Sequence, residues 1–173
     1  MNSLPSPETC IQLLREQGCS ESVVKHCQAV RDLAEKIALR TNANRELVEA
    51  GSLLHDIGRG KTHGIMHAVV GAEIARSLKL PPEIINIIER HLGAGIPCEE
   101  AITLGLPEKD YLPITLEEKI VTHADNLIED HKKVPISYEI KKAENKQKYA
   151  YAKRLRELHD ELSGICGIDL DKL

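Results

Sequence analysis

Tryptophan and phenylalanine are absent from this chain, and four tyrosines are its whole aromatic complement. A core without large rings has to be assembled from Leu, Ile, Val and Ala, which suits close-packed helices better than a strand-rich fold. The same scarcity leaves little for binding single-stranded nucleic acid by aromatic stacking. No apolar run reaches the roughly 20 residues that span a bilayer, and the N-terminus lacks the basic and hydrophobic regions of a secretion signal. The five cysteines (Cys10, Cys19, Cys27, Cys98 and Cys166) are odd in number and form no Cys-x-x-Cys pair. That pattern argues against a disulfide framework or a structural zinc knuckle. It favours a reducing, cytoplasmic setting in which the thiols are small core or surface residues. An excess of basic charge is missing too: the net charge of −4 speaks against a general phosphate-backbone binder.

What is present is helical punctuation. Ser6-Pro7 reads as an N-cap followed by proline at the first helical position, opening a short helix that stops at Gly18. Ser20 opens a second helix to about Asn42, with Val23, His26, Val30, Ala34 and Ile37 on one inward stripe. Asn44 caps a third, which ends at His55-Asp56-Ile57-Gly58 before a cationic turn, Arg59 to Gly64. Further helices are expected from about Met66 to Leu78, from Pro82 to His91, briefly between Pro97 and Leu104, and after the capping box Thr115-Leu116-Glu117-Glu118. Ser137 is placed as the cap of one long charged helix to about Leu162, broken by Gly164. No strand pair is expected. The fold class is therefore all-α: a single-domain helical bundle over residues 1–173, with a core at about 20–130 and a C-terminal extension at about 137–163.

Ligand-type side chains sit where these helices end or face inward. His26 lies on its apolar stripe, His55 and Asp56 close a hydrophobic helix, His91 ends another, Asp125 stands between Val121 and Ile128, and His67 begins a helix. Burying an unpaired carboxylate with several imidazoles costs several kcal/mol, and a bound cation removes that cost by making them ligands. Mixed N/O ligation suits a divalent transition metal (Mn, Fe, Co, Ni or Zn), and an aspartate beside a histidine can also bridge two ions, which permits a two-metal site. Taken singly, each residue also has a plainer reading: His26 as a helix-contact histidine, His55 and His91 as residues suited to a helix C-terminus, Asp56 as a turn former, His67 as a first-turn residue. His123 and His131 have no motif behind them. His159 is expected on the surface of the charged helix, whose mixed charges read as a solvent face that leaves a homo-oligomer open.

The string Leu53-Leu54-His55-Asp56-Ile57-Gly58, with His26 before it and Asp125 after it, resembles the HD-domain superfamily of metal-dependent phosphohydrolases. More narrowly it is similar to the HDIG-type branch and to small uncharacterised archaeal proteins of that branch. The resemblance implies that His26, His55, Asp56 and Asp125 hold one metal and that Asp56 bridges to a second held by His67 and His91. Many members place lysine after the glycine, where this chain has Arg59, with Lys61 close by. Either cation is a candidate contact for substrate phosphate, beside Asp56 as the central catalytic residue. The activity implied is hydrolysis of a nucleotide-like phosphate monoester, diester or anhydride by a metal-activated water, with a small-molecule phosphate as partner and no membrane. A diiron oxygenase on the same ligands and a non-catalytic nucleotide-binding domain are the alternatives.

Overall fold

A computed structural model describes residues 3–173. Its chain order is α1 (Pro7–Glu16), α2 (Glu21–Ala38), α3 (Arg45–Leu54), a 3₁₀ turn (Ile57–Gly60), α4 (His67–Ser77), α5 (Pro82–Arg90), α6 (Cys98–Thr103) and α7 (Leu116–Asn126). There follow β1 (Ile128–Glu129), β2 (Lys132–Lys133), α8 (Ile136–Asn145), α9 (Tyr149–Cys166) and a last 3₁₀ turn (Leu170–Lys172). The fold is all-α apart from this short hairpin. Among the described residues no helix is long and apolar enough to cross a membrane.

The helix starts follow their caps. Ser6, Ser20, Asn44 and Thr115 each accept a hydrogen bond from the amide three residues on, satisfying a donor that the first turn leaves unpaired. α3 lies in the middle of the bundle, against α1, α2, α5 and α7, and seven of its ten residues are buried. One hydrophobic cluster runs from Cys10 through Leu53, Leu54, Ile87 and Val121 to Leu170. It joins α3 to the outer helices and fixes the places where α3 and α5 end. Four of the five cysteines are buried and all are free thiols.

Several expectations need correction. α2 ends at Ala38 and not near Asn42, because Thr41 turns its hydroxyl back onto the Ala38 carbonyl at 3.0 Å. The expected long charged helix is two helices, α8 and α9, packed on each other. The break falls at Gln147, whose φ of 57° is left-handed, and Lys148 N–H closes back on Ala143 O at 2.9 Å. Ser137 caps neither helix; Pro135 holds the N-cap position of α8. α9 runs through Gly164 and stops at Gly167, which takes the left-handed conformation (φ 67°) usual just past a helix C-terminus. A strand pair does occur: Ile128 pairs with Lys133 and Glu129 with Lys132, around Asp130 at φ 55°.

His159 is not a surface residue. It is buried on the inner stripe of α9 with Leu155, Leu158 and Leu162. Its Nδ1 lies 2.9 Å from His123 Nε2 and its Nε2 is 3.0 Å from Asp169 Oδ1. Burial and the neighbouring His159 charge push the His123 pKa down to about 3. The unfolded chain therefore takes up this proton near pH 6.5 and the folded chain resists it until about pH 3, so acidification through that window favours unfolding. Replacing His123 with glutamine, which keeps an amide donor without the titration, should flatten the acid limb of the stability curve. The difference in slope expected between pH 6 and 4 is up to about 1.4 kcal/mol per pH unit. Parallel urea-unfolding curves for the two proteins across that range would refute it.

Candidate metal centre

Six ligand-type side chains from five helices and one turn meet at the ends of α3, α5 and α7. The backbone aims them. His55 sits at the C-cap of α3 and gives its Nδ1 to Ser52 O at 2.7 Å. His91 repeats this at the end of α5, with Ile88 O at 2.7 Å. His67, the first residue of α4, reaches Gly64 O at 2.8 Å. His26, on α2, meets Asp130 O at 2.6 Å, a carbonyl presented by the left-handed turn of the hairpin. A carbonyl can only accept, so each Nδ1 carries a hydrogen and each ring turns its Nε2 inward, where it is a ligand lone pair whenever that ring is neutral.

The four Nε2 atoms and two carboxylates converge. His67 Nε2 and His91 Nε2 are 3.0 Å apart, so two lone pairs face each other unless a proton or a metal ion lies with them. Asp56 Oδ1 is 3.1 Å from His67 Nε2 and 3.5 Å from His91 Nε2. Its Oδ2 is 3.9 Å from His26 Nε2 and 3.7 Å from His55 Nε2. Asp125 Oδ1 lies 2.9 Å from His26 Nε2 and 3.5 Å from His55 Nε2. His55 Nε2 and Asp56 Oδ1 are nevertheless buried without a properly aligned hydrogen bond. Polar atoms left this way at the focus of a donor set fit a cation better than a purely structural network. Two groupings could each hold an ion, His26 with His55 and Asp125, and His55 with Asp56 and His91. Asp56 faces both.

The electrostatics agree. Burial alone would raise the carboxyl pKa values of Asp56 and Asp125, yet the surrounding imidazoles outweigh it and hold both well below the carboxylate range. Burial would lower His55 and His26, yet the charge of Asp56 raises His55 well above its ordinary value. The hydrogen bond that Asp125 accepts likewise lifts His26. His91 is the exception, where burial wins and the value falls. The pocket thus keeps two anionic carboxylates and attracts positive charge to their neighbours.

The two cations proposed for phosphate differ in placement. Arg59 gives its Nε to Asp56 Oδ2 at 2.7 Å and its Nη1 to His63 O at 3.3 Å, so it is tied to the Asp56 carboxylate. It still lines the cleft of about 250 Å³ over the centre, together with Ser22, His26, Asp56 and Asp125. Lys61 is exposed and lies outside that lining. The carbonyl anchors were invisible in the sequence except as spacing: Ser52, Gly64 and Ile88 each precede their histidine by three residues. The Asp130 anchor had no signal at all.

The sequence model described as HD domain matches residues 23–130, a span that includes all six of these side chains. The chain belongs to the HD domain family. This HD chain is 54% identical over 154 residues to an uncharacterised protein of Methanocaldococcus jannaschii, covering 85% of this chain and 91% of that one. It is 45% identical over 170 residues to the tRNA (cytidine(56)-2'-O)-methyltransferase of Picrophilus torridus, covering 98% of this chain and 50% of the relative. The chain thus spans half the length of that curated relative. Among solved structures, it is similar to the HD domain of the L. monocytogenes phosphodiesterase PgpH in complex with cyclic-di-AMP. The TM-score is 0.57 at 20% identity, covering 90% of this chain and 96% of that one; at this identity the likeness is one of fold.

Proposed function

We propose that this HD chain is a metal-dependent phosphohydrolase acting on a nucleotide-like phosphate ester or anhydride. The observation that carries the reading is the set of four imidazoles whose Nδ1 atoms are spent on backbone carbonyls. Their Nε2 atoms are left around Asp56 and Asp125 with no other role. On this reading His26, His55, Asp56 and Asp125 hold one ion, and Asp56 with His67 and His91 a second. A divalent ion there supplies Lewis acidity toward phosphoryl oxygens and makes water acidic enough to be a nucleophile near neutral pH.

The chain's own residues do the rest. Asp56 offers one oxygen to each half of the centre and keeps them in register. Arg59 balances the charge of Asp56 through Nε. Its Nη2 makes no hydrogen bond to another described residue, and Arg59 lines the cleft, where its guanidinium can grip a phosphate oxygen and the charge that builds on it. Lys61 reaches that phosphate only by its flexible stem, and is the weaker of the two contacts.

The test is metal analysis of the purified chain, paired with a cleavage panel in Mn, Co, Ni, Fe and Zn. The panel includes bis(p-nitrophenyl) phosphate, nucleoside monophosphates, cyclic and linear diesters and dinucleoside polyphosphates. The name of the longer Picrophilus torridus relative adds tRNA to it. One to two metals per chain and chelator-sensitive phosphate cleavage are expected. Protein that binds no divalent metal, or that holds iron, ignores every phosphate and consumes O₂, would overturn the hydrolase.

A further inference from the structure

A cavity in the structure lies beside the centre and not over it. It has a volume of about 600 Å³, within the range of small-molecule sites. One wall is chain that continues directly from the centre: Leu92 and Gly93 follow His91, and Ile65 precedes His67 by two residues. The end of α6, at Thr103 and Leu104, forms the second wall, and the start of α9, from Lys148 to Arg154, forms the third.

Two of the chain's four tyrosines, Tyr149 and Tyr151, stand in that third wall. Tyr151 lies against the backbone of Gly93: a Cβ there would meet Tyr151 Cε2 at 2.6 Å, and φ at Gly93 is 57°. The same turn is tied to α7 by Asn126 Nδ2, which donates to Gly93 O at 2.8 Å, one residue from Asp125. The Tyr151 hydroxyl makes no hydrogen bond to another described residue. Burial pushes its pKa up to about 12, and the charges of Glu139 and Asp125 add to this. It stays a donor at neutral pH, against the turn that follows His91. Tyr149 is 65% exposed and Leu104 40% exposed, so the mouth of the cavity shows an aromatic ring and an aliphatic side chain to solvent.

Charge decides what fits. The ionisable lining groups besides the tyrosines are Glu99, Glu100, Lys148 and Arg154, two acids and two bases. Arg154 is already spent on Glu100 through two bonds of 2.8 and 2.6 Å. A formally neutral, mostly apolar groove does not attract a phosphate. It suits an uncharged planar body, and base faces stack on tyrosine without needing a particular sequence.

Building on the phosphohydrolase reading, we propose that this groove holds the base and sugar of a nucleotide whose phosphate lies at the centre. Tyr149 is the stacking platform and Tyr151 the hydrogen-bond donor at the junction between groove and centre. The substrate class is then a nucleotide held by its nucleoside half, not a bare phosphate ester.

Saturation-transfer NMR of the full chain with adenosine, guanosine, cytidine and uridine tests the groove without any phosphate for the centre to act on. Transfer to the base protons of at least one nucleoside is expected. It should weaken about tenfold in Tyr149→Ala and in Thr103→Trp, which removes the platform or fills the groove. Both positions are exposed, so the fold tolerates the changes. No transfer from wild type to any of the four, or transfer at full strength in either variant, overturns the proposal. Metal-dependent cleavage of bis(p-nitrophenyl) phosphate by the wild type reads the centre separately. Cleavage without base transfer sinks the groove alone; base transfer with no cleavage in any metal sinks the hydrolase and leaves the groove standing.

Discussion

Replacing Asp56 with alanine is expected to empty the centre and to lower metal-dependent cleavage by at least about a thousandfold. Among the described residues no other side chain is shown near all four imidazoles: its two oxygens lie between 3.1 and 3.9 Å from the Nε2 atoms of His26, His55, His67 and His91. Without it the His67 and His91 Nε2 atoms, 3.0 Å apart, face each other with no anion to draw a cation between them. The loss is not confined to chemistry, because Arg59 Nε also loses its 2.7 Å acceptor beside a buried site. Breaking one side of such a pair costs more than the pair is worth, on the order of 3–5 kcal/mol where both members are fully buried and less here, since Arg59 is partly exposed.

Asp56→Asn separates the two effects. The amide keeps the volume and one acceptor oxygen but not the charge, so the fold should survive while metal content falls below that of the wild type. Ligand linkage supplies the sensitive readout: a protein that binds metal only when folded melts higher as metal is added. The wild-type melting temperature should rise with added Mn or Co, and that of Asp56→Asn should stop responding. If either variant keeps wild-type metal content and turnover, Asp56 is not the bridge and the assignment of the centre fails.

How much of this was readable in advance depends on the range of the forces involved. Caps are local, and Ser6, Ser20, Asn44 and Thr115 all behave as their residue types demand. The Thr115 box is only half made, however. Glu118 does not return to the Thr115 amide; it accepts from Ile114 N at 2.7 Å and from Arg90 Nη1 at 3.0 Å. That choice belongs to the packing of α5 on α7, which the local pattern does not contain. The break between α8 and α9 was hidden because Lys146-Gln147-Lys148 holds neither glycine nor proline, and a glutamine entering the left-handed region leaves no mark. The two-residue strands are too short for alternation to show.

His159 is a different failure, because its signal was there. Leu155, Leu158, His159, Leu162 and Cys166 recur at helical spacing and are all buried, so the stripe was legible beneath the charged residues around it. For the centre, residue types and order could be read, and the six side chains do come together. Three of the four imidazole anchors also had a signature, a histidine whose third predecessor offers its carbonyl at a helix end or turn. What pattern alone could not supply is the closeness: that Arg59 is held by Asp56, that Lys61 stands off, and that Tyr151, from a helix remote in sequence, packs on Gly93, two residues past His91.

Gly58→Ala is expected to be the most damaging single methyl in the chain. A Cβ at Gly58 would sit 1.9 Å from His67 O, 2.7 Å from Gly71 N and 2.8 Å from His67 C. All three are backbone atoms, so no rotamer change relieves the clash. The turn after His55-Asp56 and the first turn of α4 cross at this point, with Gly71 making the reciprocal approach: a Cβ there would lie 3.2 Å from Gly58 N. Overpacking against side chains typically costs about 1–3 kcal/mol, and against fixed backbone the upper end or beyond is expected. For a chain of this length that lowers the melting temperature by roughly 6–12 °C. The route of relief carries the functional consequence. α4 must back away from the turn, and it carries His67, whose Nε2 is 3.1 Å from Asp56 Oδ1. The variant should therefore lose the ion on the His67 and His91 side before the one at His26 and Asp125, read as metal content falling toward one per chain. Gly64→Ala is the matched control: a Cβ there meets nothing within 4 Å, and the Gly64 carbonyl that anchors His67 is untouched. It should stay within about 0.5 kcal/mol of wild type. Equal stability and metal content in the two variants would show that the turn and α4 do not meet as closely as Gly58 implies, and with that the placement of His67 would fall.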